Sequence, residues 1–327
     1  MAILKKELLN EIERARARLD TSKIPQFTQE VFKNMEQQCM ENTALQDKDN
    51  EERGVQVLSD FKKAWKFGME NFQTNWDLLY LTDIAGRVEP SMRARNQEYA
   101  ELRTQIRQFR GGYVPPADRT RIMTHLDRML EVSKNEKLTP LERALFEYFH
   151  LIRIQPFFNG NKRTANIVMN GRLNAEGLLP ICVPNKQVPE FESYIIGAIE
   201  GFREAGAVGD ARDLVPYLRP DFKQRQFFDF LARRELCALR SAENQMAGLT
   251  TYNLHFDCNN PATEYRLKHD IVGYFVAKKL PSQVRLHAKE KVMTIIGEIP
   301  IRTLQQIVGK SPGIRSYELI VNGHGEK

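Results

Sequence analysis

Between Phe146 and Asn166 an apolar helical run breaks at Gln155-Pro156 and restarts after a loop of Gly, Asn, Lys and Arg. A proline cannot continue a helix, and it drives the residue before it out of the α region, so this stretch must fold as two helices joined by a tight turn. The turn delivers Gly160, Asn161, Lys162 and Arg163 to the start of the second helix. There the first N–H groups have no intrahelical partner and the helix dipole is positive, which makes the position a seat for phosphate. An alternative is a plain helix–helix turn in which Asn159 or Asn161 caps the next helix and Gly160 supplies a positive φ. The run Lys162-Arg163-Thr164 is not a P-loop, since no Gly stands at the required upstream position or immediately before Lys162, and no buried strand leads into it.

Helical spacing continues on both sides. Leu4, Leu8, Ile12, Ala15 and Leu19 predict an amphipathic helix over 3–19, and Thr28 is a candidate N-cap for a second with Val31, Phe32, Met35 and Cys39 inward. Phe61 and Trp65 belong to an aromatic stripe better read as core than as a cofactor box. Ile122, Leu126 and Leu130 predict a helix over 117–132, and Thr139-Pro140 with Glu142 a capped start for the helix that runs to His150. Residues 102–109, before the turn signal Gly111 to Pro116, predict a small β-hairpin. Gln245 to Pro261 loses helical periodicity and reads as a linker.

Four scattered cysteines without a CxxC pair imply neither zinc nor a disulfide framework, and no metal site is expected. Met1 to Asp20 has no apolar signal region and no run is long enough to span a bilayer, so a cytoplasmic protein without a membrane partner is expected. The net charge of +6 is uneven: Tyr265 to Lys327 holds eleven basic against five acidic residues. That suits either an acidic partner such as DNA or a solvated face.

The stretch Ile154 to Asn166 resembles the signature of Fic (Fido) domain proteins, H-x-F-x-[DE]-G-N-[GK]-R-x-x-R, and Leu81 to Gly86 with Tyr113-Val114-Pro115-Pro116 resembles that family's region around its flap. The resemblance spans about Phe61 to Phe202. It implies a mostly α fold: a Fic-type helical core at 56–205 with a small β-hairpin flap, an N-terminal helical extension at 1–55, and a helical extension and linker at 206–280. It also implies ATP or another nucleotide with Mg²⁺ as cofactor, and transfer of AMP to a protein hydroxyl.

Position by position, Phe157, Gly160, Asn161 and Arg163 match the pattern, and Lys162 stands where Gly or Lys is allowed. Gln155 stands at the family's catalytic His, and an amide cannot accept the hydroxyl proton; losing a general base typically costs ~10²- to 10⁴-fold in rate. Asn159 stands at the Mg²⁺-binding acid and lacks the charge that a hard cation prefers. Asn166 stands at the second Arg, which leaves the cradle short of a cation. His150 and His125 read as packed or second-tier histidines, not as substitute bases. No [ST]-x-x-x-E-[GN] inhibitory pattern is present.

By the same resemblance Leu102, Thr104 and Ile106 would dock a protein target on the flap, while Arg103 and Arg107 would favour an acidic one. Helices at 286–298, 301–308 and 314–321 would make 281–327 a winged-helix or helix-turn-helix-like module, with Lys310, Ser311 and Arg315 at the start of a DNA-recognition helix. Three functions compete: a nucleotide-binding Fic-fold protein that has lost or strongly reduced AMP transfer, an active protein adenylyltransferase with a compensated or engineered Gln155, and a DNA-binding or scaffold protein.

Overall fold

The computed structural model describes residues 3–29, 31–33, 35–36, 51–105, 113–134, 137–183, 187–204, 222–246, 249–258, 260–280 and 282–322. It divides into two units, Met1–Leu239 and Arg240–Lys327.

The first unit is built of helices: α1 (Lys6–Arg16), α2 (Glu51–Glu70), α3 (Leu78–Val88), α4 (Arg119–Ser133), α5 (Pro140–Ile154), α6 (Asn161–Ala175), α7 (Val188–Glu204) and most of α8 (Phe222–Met246). Its centre is α5, on which nearly every side chain from Leu141 to Ile154 is buried. A helix apolar on all sides belongs in the middle of a bundle, and α5 packs between α4 and α6, with α6 in turn against α2 and α3. Its start is the expected capping box: the Thr139 side chain accepts from the Glu142 N–H while the Glu142 carboxylate accepts from the Thr139 N–H. The same carboxylate accepts from the N–H groups of Ile3 (2.7 Å) and Leu4 (3.0 Å), which moors the N-terminal segment to α5. Such a buried carboxylate is tolerable because charge-assisted bonds from main-chain donors replace its water.

The five apolar positions expected on the first helix are all buried, as are Phe61 and Trp65. Thr28 is inside a helical segment instead of at its cap, and its hydroxyl reaches Asn174 Oδ1 at 3.3 Å. Val31, Phe32 and Met35 are described, whereas Cys39 falls outside the described residues.

The second unit corrects the sequence reading. It holds β1 (Thr250–Cys258), α9 (Pro261–Lys278), β2 (Ser282–His287), β3 (Val292–Gly297), α10 (Ile301–Lys310) and β4 (Ile314–Asn322). The strands form one antiparallel sheet in the order β2-β3-β1-β4, a split β-α-β arrangement. Leu254 on β1 faces Met293 on β3 and Leu319 on β4, and Tyr252, Leu254, Phe256, Met293 and Ile295 close a core with Leu267, Ile271 and Phe275 of α9 and Leu304 and Val308 of α10. The linker expected at 245–261 is largely β1, and the helices expected at 286–298 and 314–321 are strands. Only 301–308 is helical as expected. The deciding pattern is the alternation of Tyr252, Leu254, Phe256 and Cys258, and of Met293 and Ile295, at a period of two. Lys310 ends α10, Ser311 is buried after it, and Arg315 lies on β4, so these three residues do not open a recognition helix.

Candidate functional site

The site forms where α5 stops and α6 starts. Gln155 closes α5 in the left-handed conformation, with φ 48°, and its N–H still bonds to the Leu151 carbonyl at 3.0 Å. Phe157 then plunges into the core while Phe158 and Asn159 stay exposed. Gly160 also takes a positive φ, 70°, and an added Cβ there would meet Val88 Cγ1 at 3.1 Å, so glycine satisfies both the backbone and the space.

Asn161 holds the turn shut. Its Oδ1 accepts from the Phe157 N–H at 2.9 Å and its Nδ2 donates to the Phe157 carbonyl at 2.8 Å. Asn159 Oδ1 accepts from the Gly160 N–H at 2.8 Å. Neither asparagine caps α6: its N-cap is Gly160, with no side-chain cap bond, and the first intrahelical bond runs from Thr164 N to Gly160 O at 2.9 Å. The turn therefore presents the first N–H groups of α6, at Asn161, Lys162 and Arg163, without a side-chain acceptor.

Glu89, which follows α3, occupies the space in front of Arg163. Its Oε2 accepts from Arg163 Nη2 at 3.1 Å and from Asn159 Nδ2 at 3.0 Å, and its Oε1 from Ser91 Oγ at 2.8 Å. Arg163 Nη1 adds a bond to the Val88 carbonyl at 3.2 Å. Lys162 points to solvent and pairs with Glu192 at 3.2 Å. Asn166, on the next turn of α6, is half-buried. Nothing in the local pattern of Val88-Glu89-Pro90 signals a contact 74 residues downstream, and sequence reasoning missed it.

Arg103 was also misread. Expected on a strand surface, it is 4% exposed, and its guanidinium donates to the carbonyls of Gln155 (2.6 Å), Pro116 (2.6 Å), Gln105 (2.7 Å) and Ile154 (3.2 Å). Its own N–H bonds to the Pro156 carbonyl at 3.0 Å. One cation thus satisfies the last carbonyls of α5, at the negative end of the helix dipole, and ties the expected flap's base to the turn. Leu102 and Thr104 lie in a segment without regular secondary structure, the former buried and the latter exposed. Ile106 and Arg107 lie outside the described residues. Gly86 lets the preceding chain lie against α3, where a Cβ would meet the Glu98 carbonyl at 2.2 Å.

His150 points away from the turn, as expected. It is fully buried, its ring packs on Phe146 (4.4 Å) and Phe149 (5.3 Å), and its Nδ1 accepts from Arg153 Nε at 3.2 Å. Burial, with the Arg153 charge next and His125 after it, holds its pKa well below the ordinary histidine value, so the ring is neutral. Arg153 also meets Tyr113 OH at 2.9 Å and the buried His125 at 3.3 Å.

Chemically, the turn suits an anion. It does not suit Mg²⁺: the Asn159 oxygen is taken by a main-chain N–H, both Glu89 oxygens are engaged, and no group of three acidic, His or Cys side chains that could hold a metal occurs among the described residues. No helix among the described residues is long and apolar enough to cross a membrane.

A family model described as Fic/DOC family matches residues 79–173. Proteins named "Protein adenylyltransferase Fic" are similar over the same region. That of Drosophila grimshawi is 32% identical over 101 residues, 30% of this chain and 20% of the relative. That of Drosophila persimilis is 30% identical over 123 residues, 36% of this chain and 22% of the relative. The chain therefore matches only about a fifth of the length of these relatives. Among solved structures, a Fic domain containing signaling protein from Bacteroides thetaiotaomicron superposes with a TM-score of 0.54 at 15% identity, covering 74% of this chain and 97% of that one. Fic-1 from C. elegans (residues 134–508) superposes at 0.51 and 16%, covering 74% and 73%.

Proposed function

We propose that this chain, whose residues 79–173 match the Fic/DOC family model, binds the phosphates of a nucleotide at Gly160 to Arg163 and has lost, or strongly reduced, AMP transfer to protein hydroxyls. The observation that carries the binding half is the uncapped start of α6 beside the Arg163 guanidinium. Main-chain N–H groups and one guanidinium are the donors that phosphate oxygens take, and a nucleotide phosphate would displace the Glu89 carboxylate from Arg163 by exchanging one anion for another.

Loss of transfer follows from Gln155 and Asn159. At the end of α5 the Gln155 amide can orient a hydroxyl but cannot accept its proton. His150 offers no substitute, because its Nδ1 is bonded to Arg153 and its ring is buried among aromatics. Asn159 brings no charge for a metal ion, so the developing negative charge lacks a cation that phosphoryl-type transfer normally needs.

The test is a titration of ATP, CTP and GTP, with and without Mg²⁺, against the unaltered chain and Arg163→Ala. Binding by the unaltered chain, weakened at least ~10-fold in the variant, is expected from loss of a charge-assisted contact. No binding by either protein contradicts the phosphate site. In parallel, incubation with α-labelled ATP is expected to leave the unaltered chain and lysate proteins unlabelled. Robust labelling by the unaltered chain overturns the loss of transfer, and label appearing only after Gln155→His with Asn159→Asp supports it.

A further inference from the structure

The far end of the same two helices encloses a second basic site. Thr74 and Trp76 before α3, Ser133 and Lys134 at the end of α4, Arg143 in the first turn of α5 and Arg172 near the end of α6 line a cavity of about 10 Å³, room for one water-sized body. Three of these side chains are cationic, and among the described residues no carboxylate lines the cavity. Arg172 spends Nε and Nη2 on Glu147 and the Thr74 carbonyl, but its Nη1 is buried without a partner, although the residue is only 2% exposed. Arg143 Nε is likewise buried without a partner. Glu147 balances the charge of Arg172, whereas neither Arg143 nor Lys134 has a carboxylate partner among the described residues.

Buried donors in native proteins nearly always find an acceptor, and one without a protein partner points to a bound species. A water could accept both N–H groups but would leave the half-buried Arg143 guanidinium without a counter-charge in a partly desolvated site. We propose that this cavity binds a single small inorganic anion of halide size, accepting from Arg172 Nη1 and Arg143 Nε with Lys134 adding long-range attraction. The anion completes the charge balance where α4, α5 and α6 converge, and so stiffens the seam whose opposite end presents the Gly160 to Arg163 turn. It differs from the phosphate site in place and in size, since a cavity this small excludes a nucleotide.

The test compares thermal unfolding of the full chain in chloride and in gluconate at equal ionic strength. Gluconate is too large for the cavity, so mass action predicts a Tm higher in chloride by about 2–4 °C, with the difference abolished in Arg143→Gln and reduced in Lys134→Gln. Neither variant touches the Glu147–Arg172 pair, and Lys134 is exposed, so at least one folded variant is assured a reading. Crystals grown in bromide should show an anomalous peak between Arg172 Nη1 and Arg143 Nε. Equal Tm values in the two salts, an undiminished chloride effect in both variants, or a cavity holding only a water in bromide overturns the inference.

Discussion

The two ends of the α5–α6 pair each carry an ion pair, and the contrast between them separates scaffold from site. At the far end Glu147 and Arg172 meet through two bonds, 2.7 and 2.8 Å, with the side chains 0% and 2% exposed and the Trp76 indole N–H adding a third bond at 3.1 Å. At the turn end Glu89 and Arg163 meet through one contact of 3.1 Å, with side chains 13% and 22% exposed. The first pair is dry, bidentate and surrounded, so removing either partner strands a charge in the interior. The second is partly wet and singly bonded, and its carboxylate shares one oxygen between Arg163 and Asn159. Exchanging that carboxylate for another anion costs little.

The largest effect that would break this contrast is at the dry end. Glu147→Ala leaves the Arg172 charge buried and is expected to cost about 3–5 kcal/mol in urea or thermal unfolding. A loss below about 1 kcal/mol would mean that the seam is not the scaffold described.

Acid should act next, through the buried face of α5. The folded-state pKa of His150 is depressed below its unfolded value, so below about pH 6.5 the unfolded chain binds the proton more readily and stability falls, by up to ~1.4 kcal/mol per pH unit for one group. Unfolding midpoints measured from pH 7.5 to 5.5 should decline, and His150→Asn should flatten that decline even though it lowers stability overall.

Glu235 shows what a buried carboxylate becomes without a bidentate partner. It accepts from the Leu179 N–H at 3.0 Å, and burial pushes its pKa up to about 8, against smaller lowering contributions from that bond and Arg16. Its folded-state pKa is raised, so its contribution is present at low pH and is lost as pH rises from the unfolded carboxylate range towards 8. Glu235→Gln, which keeps an acceptor for Leu179 and carries no charge, is expected to raise stability by ~1–2 kcal/mol at pH 8 and to change it little at pH 5. The smallest stability effect is expected at the wet end: Arg163→Ala should alter unfolding by less than about 1 kcal/mol, even while it weakens nucleotide binding.

The turn was legible because its determinants are adjacent in the chain. Pro156, Gly160 and the Thr139–Glu142 box each act within a few residues, and the helices before and after follow one period. Glu89 and Arg103 were not legible, because the bonds that tie each of them to the turn span 51 residues or more and a lone Glu before Pro, or an Arg amid alternating residues, carries no sign of its destination. The βαββαβ unit was misread for a different reason. β2 and β3 are only six residues each, β2 buries none of its side chains, and a basic tail with one true helix at 301–310 drew the neighbouring period-two segments into a helical reading.

The most direct measurement is a calorimetric titration of ATP into the unaltered chain and into Glu89→Gln. The variant keeps the size of Glu89 and removes the charge that Arg163 now faces, so the account predicts ATP binding tighter by about tenfold, equivalent to ~1.4 kcal/mol. Equal or weaker binding in Glu89→Gln would contradict an exchange of anions at Arg163.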